Sequence, residues 1–588
     1  MKKQSIFITM LFSLAFIQSC ISTTVNPEIS KQELYSHIKF MASDSMKGRY
    51  PGTPEDKIVA EYISTQFKES GLELLYENGL QSFEIKTKLK LGNNNILSIN
   101  NNLFSVEKDF VPISFSSNVE LEKEVVFVGY GFGIKNLWND YNNLDIKDKW
   151  VMILRDEPQI PNLDIPFGMY SSIRSKATTA KDLGAAGVIF VSGNNFDPMD
   201  ELLIPDKPEG NINIPVIHIK REIANLLLGN KNIKDLESEI ETKAKPLSFP
   251  TNIALRCKTD ITIDKKTTYN IAAVLYSNVK TQDFIVIGAH YDHLGFGGYG
   301  SGSRAPNDHR PHYGADDNAS GVSAIIEIAE RLSANKDSLK TNFLIVAFGA
   351  EEMGLLGSKY FTNNLPFPDS LIRGMINIDM IGRLKEDNSL QISGIGTSIE
   401  GEAILEKINT EYQFRLGFSH EGYGPSDHSS FYSKNIPVFF FSTGAHIDYH
   451  TPGDSLGGIN FDGLKRTSDY IFDFAYDLSS KNTLLTFQEA GPKMPKEGIQ
   501  RTKLKVTLGI MPDFTGVVKE GLRADIVIKD KPAYKSGMQS GDIIIAINGL
   551  SVTDIQEYME RLSKLKAGEI ITVEVLRDEK KEVLIVQL

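Results

Sequence analysis

NFLIVAFGAEE, residues 342–352, is an unbroken apolar run that ends at two adjacent glutamates. Runs of this kind, rich in valine, isoleucine and phenylalanine, are typical of strands buried on both faces of an α/β sheet. Three further apolar runs end in, or shortly before, histidine or acidic residues: FIVIGAHYD (284–292), MINID (375–379) and IPVFFF (436–441), which precedes His450. The pattern predicts an α/β domain with a doubly wound, mainly parallel sheet.

The polar residues at the ends of these runs are candidates for one shared site. Ligands of doubly wound sheets gather beyond the carboxyl ends of the strands, where residues distant in sequence converge. Each residue has an ordinary explanation on its own, such as a surface loop for His290 and Asp292, or a helix cap for Asp316 or Asp317 in GADDNASG. Together they supply two imidazoles and several carboxylates, one of which would bridge two ions. This donor set suits a co-catalytic pair of zinc ions.

Five motifs in order, AHYDH, GADDNASG, AFGAEEMGLLGS, NIDMIG and YHTPGD, resemble those of metallopeptidase family 28. The family contains di-zinc aminopeptidases and glutamate carboxypeptidases, and HIKFMASDSMKGRYPGTPE near the N-terminus resembles the segment that opens its bacterial members. The resemblance implies two Zn²⁺ per chain, one held by His290, Asp317 and Asp379 and the other by Asp317, Glu352 and His450. It also implies that Glu351 is the general base, that Asp292 is the carboxylate behind His290, and that Tyr449 stabilises the oxyanion.

The resemblance implies hydrolysis of peptide substrates, most simply by an aminopeptidase. A glutamate-type carboxypeptidase on the same site is the alternative, because an aminopeptidase needs an acidic group for the substrate ammonium and a carboxypeptidase needs basic groups. Arg304, Arg310 and Arg383 lie near the motifs, so the sequence leaves this choice open. Two other classes are disfavoured: a non-catalytic peptide-binding protein, because every ligand and Glu351 are present, and a glutaminyl cyclase, because both metal half-sites are complete.

The chain of 588 residues is too long for one hydrophobic core and divides by composition. We predict a peptidase domain in two parts, residues 30–102 and 251–480. The β-rich stretch 103–250 between them, with WVMILRDEP and KATTAKDLGAAGVIFVS, resembles a protease-associated domain, with a β-rich α/β fold. A polar linker (481–498) leads to residues 499–588, where SGMQSGDIIIAINGLSV resembles a PDZ domain, a partly open β-barrel.

The PDZ-like segment carries a second candidate site. TLGIM would be the carboxylate-binding loop, formed by Leu508, Gly509 and Ile510. A C-terminal peptide would then bind by strand addition beside this loop. The alternative is that the domain only packs on the peptidase.

The first twenty residues resemble a bacterial lipoprotein signal, with two lysines, an apolar stretch and IQSC ending at Cys20. We expect an exported protein anchored to a membrane through a lipid on Cys20, facing the periplasm or the cell surface. A plain secretory signal is the alternative, because Gln18 departs from the usual small residue. Cys257 is expected to be a buried apolar side chain. The net charge of -12 argues against nucleic acid as a partner.

Four further histidines lie close to the motifs without a spacing that assigns them a role. His293 follows the first motif, and His309 and His312 fall in a glycine-rich loop. We expect these two to be solvated, and a place at the mouth of the pocket is the alternative. His428, in SDHSSF, is a candidate contact to substrate or to a metal ligand.

Overall fold

The computed structural model describes residues 26–588 except 162, 164, 204–209, 299, 494–505, 513–520, 554 and 579. The predicted signal segment with Cys20, and part of the predicted linker 481–498, lie outside the described residues. None of the described helices combines the length and the apolar composition needed to cross a membrane.

Nine of the described strands form the first sheet, which has α/β architecture as predicted. Its four central strands, in spatial order 342–348, 284–290, 372–378 and 438–442, are parallel to one another, whereas strands at both flanks join antiparallel. The sheet is therefore mixed, with a parallel centre. Its strands are Glu73–Leu74, Leu80–Leu91, Ile261–Leu275, Phe284–His290, Asn342–Phe348, Ile372–Ile378, Ser389–Ser393, Arg415–Ser419 and Val438–Ser442.

Helices cover both faces of this sheet. Successive strand residues alternate between two apolar clusters, as the two-residue period of a strand requires. Each helix contributes to the core on its own face, so the central strands are buried on both sides. The first face carries Lys31–Met41, Pro54–Glu69, Gly321–Ala334, Gly401–Tyr412 and Phe461–Ser480, and the second carries Leu356–Asn363 and His428–Tyr432.

A second, eight-stranded mixed sheet is inserted between the strands Leu80–Leu91 and Ile261–Leu275, which pair with each other in the first sheet. Apolar clusters cover both of its faces, and it carries the helices Ile173–Asp182, Arg221–Leu228 and Ile233–Lys243. Cys257 is buried in this core, as expected. The strands are Ile96–Ile99, Asn102–Phe104, Phe110–Pro112, Glu120–Val128, Trp150–Leu154, Gly187–Val191, Val216–Ile219 and Ser248–Lys258. The predicted limits at 103 and 250 fall within two of these strands.

The C-terminal part is β-rich and has its own apolar core. Its described helices are Pro532–Lys535 and Ile555–Ser563. Its described strands are Ile510–Pro512, Leu522–Val527, Ile543–Ile547, Leu550–Ser551, Ile570–Arg577 and Lys580–Gln587.

Candidate metal centre

The predicted site residues meet at the carboxyl edge of the parallel centre of the first sheet. His290 is the last residue of its strand, and Glu351 and Asp379 follow the two strands on either side of it. Asp317 lies in the irregular turn Ala315–Ser320 that precedes a helix, and His450 lies in the loop after the strand Val438–Ser442. Because neighbouring parallel strands end at the same edge, these distant residues converge there.

The donor atoms form two groups that share Asp317. In the first group, Nε2 of His290 lies 3.2 Å from Oδ1 of Asp317 and 3.3 Å from Oδ1 of Asp379. In the second, Nε2 of His450 lies 3.1 Å from Oδ2 of Asp317 and 3.3 Å from Oε2 of Glu352. Asp317 thus offers one oxygen to each group, as a bridging carboxylate must.

The residues fit a pair of zinc ions. Oδ2 of Asp317 and Oε1 of Glu352 are buried and have no hydrogen-bonding partner among the described residues. Buried carboxylate oxygens are costly unless a cation or a hydrogen-bond donor faces them. The donor set of imidazoles and carboxylates is the kind that zinc takes in catalytic sites.

The ligands that we predicted are held in place by neighbouring groups. Nδ1 of His450 donates to the carbonyl of Gly302 at 3.1 Å, which leaves Nε2 free to bind metal. The hydroxyl of Ser426 donates to Oδ2 of Asp379 at 2.8 Å and accepts in turn from the amide of Asn377. These contacts fix both the tautomer of the histidine and the orientation of the carboxylate.

Asp292 is fully buried and holds the Glu351–Glu352 turn more closely than it holds His290. Its carboxylate accepts the backbone N–H groups of Glu351 at 2.9 Å and of Glu352 at 3.3 Å. Its Oδ1 lies 3.8 Å from Nδ1 of His290, while its own carbonyl oxygen lies 3.3 Å from that nitrogen. Burial raises the pKa of Asp292 to about 8, against the opposing charge of His290.

The turn that carries Asp317 is fixed from two sides. The buried carboxylate of Asp454 accepts the backbone N–H groups of Asp316 and Asp317 at 3.0 Å. From the other side, the fully buried guanidinium of Arg49 donates to backbone carbonyls of both ligand loops, including those of Tyr291 and Gly314. The sequence identified the segment around Arg49 by resemblance only and gave no indication of these contacts.

Glu351 lines the same cavity as the donor groups, and its carboxylate is buried. Removal from water raises the pKa of Glu351 well above its ordinary value, with His290 opposing the rise and the carboxylates of Glu352, Asp427 and Asp379 adding to it. A carboxylate with a raised pKa accepts a proton more readily near neutral pH. Tyr449 stacks on the ring of His450, with 3.8 Å between ring centroids, and removal from water raises the pKa of Tyr449. Its hydroxyl therefore stays protonated and can donate.

A cavity of about 550 Å³ opens onto the donor groups. Its described lining contains carboxylates and histidines but no lysine or arginine. Apart from the donor residues and Glu351, the lining mixes polar and apolar side chains. These residues are Met380, Gln391, Ser393, Ser419, Glu421, Tyr423, Gly424, Pro425, Phe440, Ser442, Gly444, Ala445 and Tyr449.

None of the three arginines near the motifs lines this cavity. Arg383 pairs with Asp448 at 3.2 Å behind the ligand turn, and Arg310 pairs with Asp308 on the surface. Arg304 lines a separate shallow depression together with His309. The described lining of the cavity therefore offers no arginine to a substrate carboxylate.

The unassigned histidines have different surroundings. His309 is exposed, whereas His312, expected to be solvated, is buried and its Nε2 lies 2.8 Å from the hydroxyl of Ser303. His428 is buried and stacks on Phe440, with 4.7 Å between ring centroids. His293 is buried within the second donor group, which the sequence did not predict.

Three regions of this chain match known protein families. Residues 270–475 match Peptidase family M28, residues 122–227 match the PA domain, and residues 498–588 match the PDZ domain. The α/β part of the chain is therefore an M28 peptidase domain, interrupted by a PA domain and followed by a PDZ domain. This confirms the domain types predicted from the sequence.

The similar proteins include bacterial aminopeptidases. Aminopeptidase YwaD of Bacillus subtilis is 29% identical over 325 residues, which cover 52% of this chain and 60% of that protein. An aminopeptidase of Pseudomonas aeruginosa is 26% identical over 368 residues, covering 56% of this chain and 61% of that protein. The solved structure of an aminopeptidase from Aneurinibacillus sp. strain AM-1 covers 80% of this chain and 97% of its own, at 22% identity and a TM-score of 0.47. The chain thus spans about 60% of the length of these curated relatives.

Proposed function

We propose that this protein is a co-catalytic di-zinc aminopeptidase. The observation that carries the proposal is the cavity beside the donor groups, whose described charged lining consists of acidic residues and histidine without lysine or arginine. A free substrate ammonium suits such a lining, because opposite charges attract strongly in a site shielded from water. A C-terminal carboxylate would lack a cationic partner there. This favours an aminopeptidase over a glutamate-type carboxypeptidase.

The two half-sites would each hold one zinc ion, through His290, Asp317 and Asp379 and through Asp317, Glu352 and His450. Zinc at these positions would polarise the scissile carbonyl and acidify the attacking water. Glu351 takes the proton from this water and passes it to the leaving amine. Asp292 holds the backbone of Glu351, so that the carboxylate faces the water. The hydroxyl of Tyr449 donates to the oxyanion that forms in the transition state.

The decisive test compares substrates and a matched pair of variants. Wild type should cleave aminoacyl anilides with a free amine and should leave N-blocked peptides ending in glutamate intact. Glu351→Gln should lower kcat about 10²- to 10⁴-fold, the usual contribution of a general base, while two zinc equivalents remain by elemental analysis. The control is Glu406→Ala, an exposed acid on the helix Gly401–Tyr412, which should keep wild-type kcat.

Three results would contradict the proposal. Cleavage of the blocked peptides in preference to the anilides would indicate a carboxypeptidase. Full activity of Glu351→Gln would show that Glu351 is not the general base. If the wild type failed to bind zinc from a zinc-containing buffer, the proposed metal centre would be wrong, and so would the chemistry assigned to it.

We also propose that the PDZ domain binds C-terminal peptides at Leu508, Gly509 and Ile510. In support, Gly509 has a φ of +75°, and a Cβ there would lie 2.1 Å from Cβ of Lys531, so the loop requires a glycine. The test is binding of a fluorescent peptide library to the full chain. Binding that is unchanged in Gly509→Val would contradict the assignment.

The proposal for location rests on the sequence IQSC alone. The protein would be exported and anchored to a membrane by a lipid on Cys20. A fatty-acid analogue supplied to cells should label the wild type and leave Cys20→Ser unlabelled. Equal recovery of both from the membrane fraction would contradict an anchor at this residue.

A further inference from the structure

His293 lies inside the second donor group. Its Nδ1 is 2.8 Å from Oε1 of Glu352 and 3.8 Å from Oδ2 of Asp317. The ring is fully buried and packs edge-on against His450, with 5.8 Å between the ring centroids. His293, Asp317 and Glu352 thus each offer a donor atom to the same small volume.

A hydrogen bond does not explain this arrangement. Although Nδ1 lies close to Glu352, neither ring nitrogen of His293 has a hydrogen-bonding partner of acceptable geometry among the described residues. The facing oxygens of Asp317 and Glu352 are also without one. Native proteins rarely bury several polar atoms together unless a common partner satisfies them. A cation placed between Nδ1 of His293 and the two carboxylate oxygens would satisfy these three atoms.

The distances suit direct coordination. Donors placed about 2.1 Å from a zinc ion at the tetrahedral angle are about 3.4 Å from one another, and a zinc ion that expands to five ligands keeps a position for water. Nδ1 of His293 is 2.8 Å from the nearer oxygen of Glu352 and 3.8 Å from that of Asp317, so its two distances lie on either side of this value. Nε2 of His450 is 3.1 Å and 3.3 Å from oxygens of Asp317 and Glu352, just below it. One ion can therefore contact His293, Asp317 and Glu352 together, and Nε2 of His450 faces the same two carboxylates.

The surrounding backbone is shaped to hold the ring there. Gly314 has a φ of +54°, and a Cβ at this position would lie 2.6 Å from both Cγ and Cδ2 of His293. Only glycine gives the ring this space without displacing it. The same loop carries Asp317, so the position of the ring is coupled to that of the bridging carboxylate.

We propose that His293 is a further protein ligand, through Nδ1, of the metal held by Asp317, Glu352 and His450. This inference rests on the proposed zinc centre and adds a residue to it. The half-sites then differ, since this one has two imidazoles and the other has only that of His290. Imidazole binds zinc and cobalt more strongly than carboxylate or water does, so the half-site with His293 fills first.

The test is metal binding by the full chain, read by calorimetry with Zn²⁺ and by the visible spectrum with Co²⁺. His293→Asn keeps a hydrogen-bond donor near the position of Nδ1 but removes the imidazole ligand. We expect this variant to lose at least about 100-fold in affinity for the first zinc equivalent, because groups that only orient a ligand already account for 10- to 100-fold. The d–d bands of the first cobalt equivalent should change as well.

Two further variants keep the test decisive. His293→Asp places a carboxylate oxygen near the same position and should recover affinity relative to His293→Asn, even if both are less stable. His312→Asn removes a buried histidine of the neighbouring loop that contacts Ser303 and should leave both binding steps unchanged.

The possible failures are distinguishable. Wild-type affinity and an unchanged cobalt spectrum in His293→Asn would refute the ligand role while leaving the di-zinc centre intact. Equal affinities of His293→Asp and His293→Asn would refute it also. A wild type that binds no zinc would instead refute the proposed function, and this inference with it.

Discussion

Arg49 is the side chain whose removal tests the support of the metal centre most directly. It comes from the N-terminal segment and is fully buried, yet four of its hydrogen bonds go to backbone carbonyls of loops more than two hundred residues away. Burial lowers the pKa of Arg49, and the carboxylates of Asp317 and Asp292 oppose this effect. Arg49→Met keeps most of the apolar volume and removes every donor.

The magnitude follows from the hydrogen bonds. Three of them, to Tyr291, Tyr313 and Gly314, are between 2.5 and 2.7 Å long. A hydrogen bond to a charged group contributes about 1.5 kcal/mol or more, and the carbonyls left behind are buried. We therefore expect the free energy of unfolding of the peptidase domain to fall by about 4 kcal/mol. At 2–4 °C for each kcal/mol in a domain of this size, its melting temperature should fall by about 10 °C.

Differential scanning calorimetry of the metal-free protein measures this loss, and zinc titration measures the effect on the loops. The matched control is Arg256→Met on the second sheet, where an exposed arginine pairs with Glu120, and its melting temperature should match wild type. If Arg49→Met had the melting temperature and the zinc affinity of wild type, the argument that Arg49 fixes the ligand loops would be wrong.

Three other perturbations have defined outcomes. Tyr449→Phe should lower kcat on an aminoacyl anilide about 10²-fold with little change in KM, as loss of one oxyanion donor does, and steady-state kinetics will check this. Asp454→Asn removes a charged acceptor of two backbone N–H groups in the Asp317 turn and should weaken zinc binding about tenfold in a chelator competition assay. In the PA domain, burial lowers the pKa of Lys176 from 10.5 to about 7, so the unfolded state binds more protons between these values. The free energy of unfolding of the domain, measured with urea, should therefore rise with pH from about 7 to 10. If Lys176→Met showed the same rise with pH, Lys176 would not be its cause.

The strand ends could be predicted from the sequence because continuous apolar runs are visible without any knowledge of contacts. Their termini located His290, Glu351, Glu352 and Asp379 at one edge. Strand direction at the flanks was not predictable, because composition does not show that Ile261–Leu275 runs antiparallel to its neighbours.

His293 was missed for a physical reason. A two-residue period, applied through His290 and Asp292, places residue 293 on the opposite face from both. The strand ends at His290, however, and the chain then turns, so the period no longer holds. The role of Arg49 was equally hidden, because its partners are backbone carbonyls, which have no signature in a sequence.

The insertion of the PA domain into the first sheet delays the folding of the peptidase domain during synthesis. The helices Lys31–Met41 and Pro54–Glu69 emerge first, but the sheet that covers their apolar faces needs Ile261–Leu275 and strands made later still. The PA domain can fold as a unit before the strands that cover these helices have been synthesised. His450 emerges last of the predicted ligands, so the second half-site can form only when nearly the whole peptidase domain has been made. Metal uptake would thus mark a finished domain.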